Sequence, residues 1–196
     1  MKIAVMTHVF PALSETFILN QITGLLERGH EVWILAERQG RDTKVHPEVD
    51  KHSLQQRTFF PPPSPSSKGL CWLRALGLLL RNLPRYPSAM LRFLGLFLLR
   101  RRGLSLNVLY YLLELCEKQV EVLSCHYGPN GLVGVLLKKG LPRLKVVVTF
   151  HGYDVQLGFE RGKDFYRPLF TQADLILVNS EFTRRRLLEQ GADASR

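Results

Sequence analysis

Val146-Val147-Val148-Thr149-Phe150 is a run of β-branched and aromatic residues that stops abruptly at His151-Gly152-Tyr153-Asp154. Such a run reads as a strand buried on both faces of a parallel sheet. Parallel strands need crossover connections, so this one feature commits the chain to an α/β architecture. In open sheets of that kind, ligands bind beyond the carboxyl ends of the strands. His151 and Asp154 therefore stand where chemistry is expected, on a loop that Gly152 allows to bend tightly. The competing reading is a histidine that merely ends a strand.

The rest of the chain supports the same architecture. Residues 2–7 read as a first strand, and Ser14-Glu15 as the start of a helix, with Ser14 as cap and Glu15 at its positive end. Phe17, Ile18, Ile22, Leu25 and Leu26 give that helix an apolar face. Gly29 ends it, and residues 31–36 form the second strand. After a long interruption the alternation resumes: strand 120–125, helix 131–139, strand 144–150, helix 163–171, strand 174–178, helix 181–190. The expected fold is a Rossmann-like, doubly wound parallel sheet over residues 1–190, with 191–196 beginning a further stretch.

The interruption carries the charge. Between Lys51 and Leu113 there is no Asp or Glu, while ten Lys or Arg occur. The remainder holds 17 basic and 17 acidic residues, so the formal charge of +10 belongs to this one segment. A proline cluster at 61–65 stiffens its entry. Residues 61–117 read as a basic, leucine-rich helical insert broken at Pro84, Pro87 and Gly103. Arg74, Arg81, Arg85 and Arg92 are spaced to share a helical face locally, followed by Arg100, Arg101 and Arg102. Arginines interrupt every long apolar window, which argues against a spanning helix and for an amphipathic segment lying on an anionic membrane surface. An ordinary core-facing helix pair with a solvated arginine rim is the alternative. Nucleic acid is not expected, because no helix-turn-helix, zinc or RNP-like motif accompanies the charge.

Three cysteines without CxxC pairing, and a start that lacks a signal-peptide pattern, fit a cytoplasmic protein. There is no GxGxxG fingerprint, P-loop or GxSxG elbow. Three loops follow three strands: His8 to Phe17, Cys125 to Gly131, and His151 onward. Parallel topology brings them to one edge, as a cleft lined by His8, Glu15, His126, Asn130, His151 and Asp154. Gly128 and Gly131 at a helix start would admit a phosphate or simply make a turn. No metal site is expected, since the spacing of His126, His151 and Asp154 does not establish one.

The segments FPALSETFILNQITGLLERGHEV (10–32), HYGPNG (126–131), TFHGYD (149–154) and ADLILVNSEFTRRRL (173–187) resemble bacterial glycosyltransferases of family 4. The likeness is narrower to the exopolysaccharide branch that includes colanic acid biosynthesis enzymes. It covers nearly all the chain except 42–118. It implies a GT-B enzyme with a nucleotide-sugar as co-substrate, no further cofactor, and retention of configuration. In that frame this chain is the acceptor-binding N-terminal domain, and the donor-binding domain is not within it. His151 would stand near the transferring centre and support it by hydrogen bonding. Ser14, Glu15 and Thr16 would face donor phosphates and acceptor, with His126, Asn130, Gly152 and Asp154 on the acceptor side. Asp154 would bind a hydroxyl or anchor its own loop. The resemblance and the insert together imply a saccharide or lipid-linked acceptor at the inner face of the cytoplasmic membrane, and a C-terminal donor domain as partner, in the same polypeptide or a separate one. Without that domain the chain is expected to be inactive. A non-catalytic glycan- or lipid-binding module, a partner-docking module, and a degenerate gene product are the alternatives.

Overall fold

The structure is a computed structural model that describes residues 1–42, 44–98 and 105–193. Six strands form one sheet: β1 (Lys2–Phe10), β2 (Glu31–Gln39), β3 (Thr58–Phe59), β4 (Val122–His126), β5 (Lys145–Phe150) and β6 (Leu175–Val178). Every pairing is parallel, and the spatial order is β3-β2-β1-β4-β5-β6. The order reverses between β1 and β4, so that junction is the topological switch point where such sheets place their ligands.

The helices are α1 (Thr16–Glu27), α2 (Pro47–Lys51), α3 (Lys68–Asn82), α4 (Pro87–Leu98), α5 (Leu106–Lys118), α6 (Gly128–Gly140), α7 (Tyr153–Arg161), α8 (Arg167–Gln172) and α9 (Glu181–Glu189). Two cores form on the two faces of the sheet. Val5, Ile34 and Ala36 pack with Ile18, Leu19 and Ile22 of α1. On the other face Met6, Leu123, Cys125, Val146, Val148 and Phe150 pack with α4, α5, α6 and α8. Among the described residues 40 hydrophobic side chains are buried, so apolar surface removal is the main favourable contribution to folding.

Several expectations need correction. β5 is not buried on both faces: Val146, Val148 and Phe150 are fully buried, while Val147 and Thr149 are half-buried. Its second face is open because β6, its neighbour, exposes Leu175 and Leu177 on that side. Ser14 does not cap α1: the cap position is Glu15, and no side chain bonds the first turn. The loop expected after His151 is instead helix α7, which Gly152 starts at φ 101 and Gly162 stops at φ 96. The helix expected over 163–171 is the shorter α8.

The basic segment is no appendix. Leu106, Val108, Leu109, Tyr110, Tyr111, Leu112 and Leu115 of α5 are buried against the sheet. Helices α3 and α4 join the same core through narrower buried stripes (Ala75 and Leu79; Ala89, Met90 and Phe93). Their outer surfaces expose Leu70, Leu73, Leu76, Leu80, Leu91 and Leu98. No helix among the described residues is long and apolar enough to cross a membrane. Arg74 reaches back to the body, over the Tyr110 ring at 5.6 Å and onto the Pro63 carbonyl at 3.4 Å. Arg85 lies in the α3–α4 connection over Tyr86, and Arg92 on α4. Arg100, Arg101 and Arg102 fall outside the described residues.

Candidate functional site

The carboxyl ends of β1, β4 and β5 converge with the start of α1. β4 ends in His126, whose side chain lies on the α1 side of the sheet because its neighbour Cys125 points into the opposite core. Burial leaves His126 3% exposed. Its Nδ1 lies 3.0 Å from His151 Nε2, and its Nε2 lies 2.6 Å from Gln21 Oε1. Gln21 in turn donates from Nε2 to Ser124 Oγ at 3.4 Å. The two imidazoles are nearly parallel, 5.3 Å between centroids and 20° between planes.

His151 is held on its other sides by aromatic rings, Phe17 at 4.5 Å and Tyr127 at 4.7 Å. Desolvation lowers the pKa of both histidines. His126 falls to about 4, with the His151 ring adding to the burial effect. For His151, burial lowers the pKa against the opposing pull of Asp154 and Glu15. Both rings are therefore neutral at physiological pH, each with one N–H and one lone pair.

Asp154 is fully buried. Its Oδ1 accepts from the His151 amide at 2.9 Å and its Oδ2 from the Gly128 amide at 2.8 Å. One carboxylate thus pins the loops after β4 and β5 to each other, at the start of α6 where the helix dipole favours negative charge. Of the two roles raised for Asp154, this geometry supports the anchor. Tyr166 OH donates to the Asp154 carbonyl at 2.8 Å and fixes the same turn from below. Asn130 donates to the His126 carbonyl at 2.9 Å. Gly152 supplies the positive φ at which α7 begins.

Glu15 stands at the entrance of α1, its carboxylate accepting from Tyr127 OH at 2.9 Å and Thr7 Oγ1 at 3.3 Å. Burial pushes the Tyr127 phenol up, and the adjacent Glu15 adds to it. Tyr127 itself has φ 71, a conformation non-glycine residues rarely adopt, at the start of α6. Ser14 and Thr16 flank Glu15 on the exposed rim. His8 is not part of the cluster: it pairs with Glu37 at 2.5 Å and Arg38 at 2.6 Å.

Gly128 and Gly131 lie in α6 itself, and their amides are already taken by Asp154 Oδ2 and the Tyr127 carbonyl. A Cβ on Gly128 would meet Phe150 and Tyr166 at 2.6 Å, and one on Gly131 would meet Leu169 at 2.6 Å and Val148 at 2.7 Å. These glycines let α6 lie directly on β4 and β5. Among the described residues no three His, Cys, Asp or Glu side chains converge as metal ligands would. Gln21, Phe17 and Tyr127 are the members that sequence reading did not single out as site residues. Phe17 and Gln21 are one helical turn apart, which puts them on one face, but only the fold shows that this face meets His126 and His151.

A family model described as a glycosyl transferase 4-like domain matches residues 14–196. The putative colanic acid biosynthesis glycosyltransferase WcaL of Escherichia coli is 30% identical over 199 residues, covering 97% of this chain and 48% of its own length. The amylovoran biosynthesis glycosyltransferase AmsK of Erwinia amylovora is 28% identical over 204 residues, covering 100% of this chain and 49% of its own. The chain thus spans about half the length of the curated relatives it matches. Among solved structures, HepE of Anabaena, crystallised with UDP and glucose, superposes with a TM-score of 0.55 at 13% identity. That match covers 100% of this chain and 42% of HepE, and it shows a shared fold.

Proposed function

The chain belongs to the glycosyl transferase 4-like family, and on that premise we propose that residues 1–196 are the acceptor-binding unit of a retaining glycosyltransferase that moves a sugar from a nucleotide-sugar to a saccharide or lipid-linked acceptor. The observation that carries this reading is the neutral His126–His151 pair at the switch point of the sheet, backed by Gln21 and walled by Phe17 and Tyr127. The neutral His151 imidazole and the Glu15 carboxylate can exchange hydrogen bonds with sugar hydroxyls, while His126 and Gln21, whose polar atoms are already paired, back them from below. Aromatic rings pack on the apolar faces of a sugar ring. A leaving diphosphate needs instead cations or convergent N–H donors. We therefore assign the nucleotide to a second unit, in the same polypeptide or a separate one, and expect no turnover from residues 1–196 alone. His151 supports the transferring centre by hydrogen bonding; Ser14, Glu15 and Thr16 line the entrance.

The test is sugar transfer by the complete enzyme from labelled nucleotide-sugars to a lipid-linked saccharide. His151→Ala should lower kcat/KM at least about tenfold, a loss of about 1.4 kcal/mol in transition-state stabilisation. An unchanged rate would remove His151 from the mechanism, and absence of any transfer would leave a binding module.

A membrane-surface role is favoured by the exposed leucines on α3 and α4 beside Arg81 and Arg92. We place the protein in the cytoplasm, peripheral at the inner face of the cytoplasmic membrane, with this surface against anionic headgroups. Cosedimentation with vesicles containing phosphatidylglycerol, and none with purely zwitterionic vesicles, is the expected result.

A further inference from the structure

We propose that Gln21, acting through His126, is a positioning residue that fixes which nitrogen of His151 carries its proton. The chain of contacts is short, and each link follows from the way the Gln21 amide is turned in the structure. Gln21 spends its amide N–H on Ser124 Oγ at 3.4 Å, so the atom it turns to His126 is the carbonyl Oε1, at 2.6 Å. A carbonyl accepts only, so His126 Nε2 must hold the hydrogen. His126 is buried and neutral, with a single N–H, and its Nδ1 is then a lone pair. That lone pair faces His151 Nε2 at 3.0 Å, so His151 donates from Nε2. A neutral His151 is left with the lone pair on Nδ1 as its remaining hydrogen-bonding position.

The tilted rings of Phe17 and Tyr127, 4.5 and 4.7 Å from the imidazole centroid, wall it in so that the two nitrogens do not exchange places by a ring flip. The consequence, which rests on the proposed transfer function, is that His151 offers a substrate an acceptor and never a donor. A hydroxyl hydrogen of a sugar satisfies it; a carbonyl or phosphate oxygen meets a repelling lone pair. Gln21 touches none of the reacting atoms, yet it decides this polarity two side chains away.

Histidine-labelled protein of the full chain tests this without any sugar or nucleotide, so the result is independent of the glycosyltransferase reading. Two-bond proton–nitrogen correlation at neutral pH distinguishes pyrrole-type from pyridine-type ring nitrogens. In the unsubstituted protein both His126 and His151 should show a pyrrole-type Nε2 and a pyridine-type Nδ1. Gln21→Leu should release His151 into an average of both tautomers, while Gln21→Glu, whose carboxylate also only accepts, should restore the fixed form. Nδ1–H on either ring of the unsubstituted protein overturns the proposal. So does a His151 spectrum unchanged by Gln21→Leu. If Gln21→Leu does not fold, the unsubstituted spectrum and the Gln21→Glu spectrum still decide.

Discussion

Asp154 receives two backbone N–H groups from two different loops, those after β4 and β5. An amide in its place accepts with one atom and turns N–H groups toward a second N–H inside a fully buried site. Asp154→Asn should therefore destabilise the chain by about 3 kcal/mol, the upper end for a buried hydrogen bond to a charged group. A drop in denaturant midpoint at unchanged slope checks this. The histidines make stability depend on pH. His126 has a folded pKa of about 4, below its ordinary 6.5. As pH falls, the unfolded chain takes up the proton first, so the contribution is complete above pH 6.5 and is lost between there and about 4. The shift corresponds to on the order of 3 kcal/mol. The lowered pKa of His151 acts with the same sign. Midpoints measured across this window should fall more steeply for the native chain than for His126→Gln. Parallel slopes would mean that His126 is not buried neutral. The positions of His151 and Asp154 at a strand end were legible from the β-branched run and the parallel topology. The Gln21 contact was not, since it joins residues 105 apart through a helix-to-strand packing that no local pattern encodes.

At the scale of elements, α6 is held against β4 and β5 by missing side chains. Gly131→Ala would drive a methyl within 2.6 Å of Leu169 and 2.7 Å of Val148, both buried, so overpacking should cost about 1–3 kcal/mol. Gly77 in the middle of α3 has nothing within 4 Å of the same methyl, so Gly77→Ala should stabilise by about 1 kcal/mol through helix propensity. Thermal midpoints of the pair should move in opposite directions. From sequence alone the glycines read as a turn or phosphate loop, because a helix packed this tightly on a sheet leaves the same signature as a tight loop. Strands β1, β2, β4, β5 and β6 were legible because hydrophobic runs bounded by turn residues mark them. β3 is two residues long and exists only because Ile34 and Leu35 of β2 offer it a partner. Helix α7 was hidden by its polar composition and by a start at Gly152, a residue that ordinarily signals a loop. The core role of α5 was hidden by the arginines preceding it, whereas its own burial comes from a leucine and tyrosine face turned to the sheet.

At the scale of the whole molecule, the net charge is concentrated in one stretch of the sequence. The acid-free segment from Lys51 to Leu113 carries the entire excess of positive charge, and its outer helices turn leucines toward solvent. On α3 the buried Ala75 and Leu79 lie on one side; Leu73 and Leu80, 66% and 60% exposed, lie on the other with Arg74 and Arg81 alongside. A second apolar face that points outward, edged by arginine, is what the proposed bilayer contact requires of such a helix. The two contributions can be told apart. Each Lys or Arg near an anionic surface adds about 1 kcal/mol and is screened within a Debye length, so binding to anionic vesicles should weaken steeply with salt. The leucines contribute an apolar part that salt does not screen. Leu73→Glu with Leu80→Glu changes only exposed positions and should leave the unfolding free energy within about 0.5 kcal/mol of its original value. It should nevertheless abolish the vesicle binding that survives at high salt. Binding that is unchanged in the double variant would reduce the surface to plain electrostatic attraction, and binding absent even at low salt would detach the basic segment from membranes altogether.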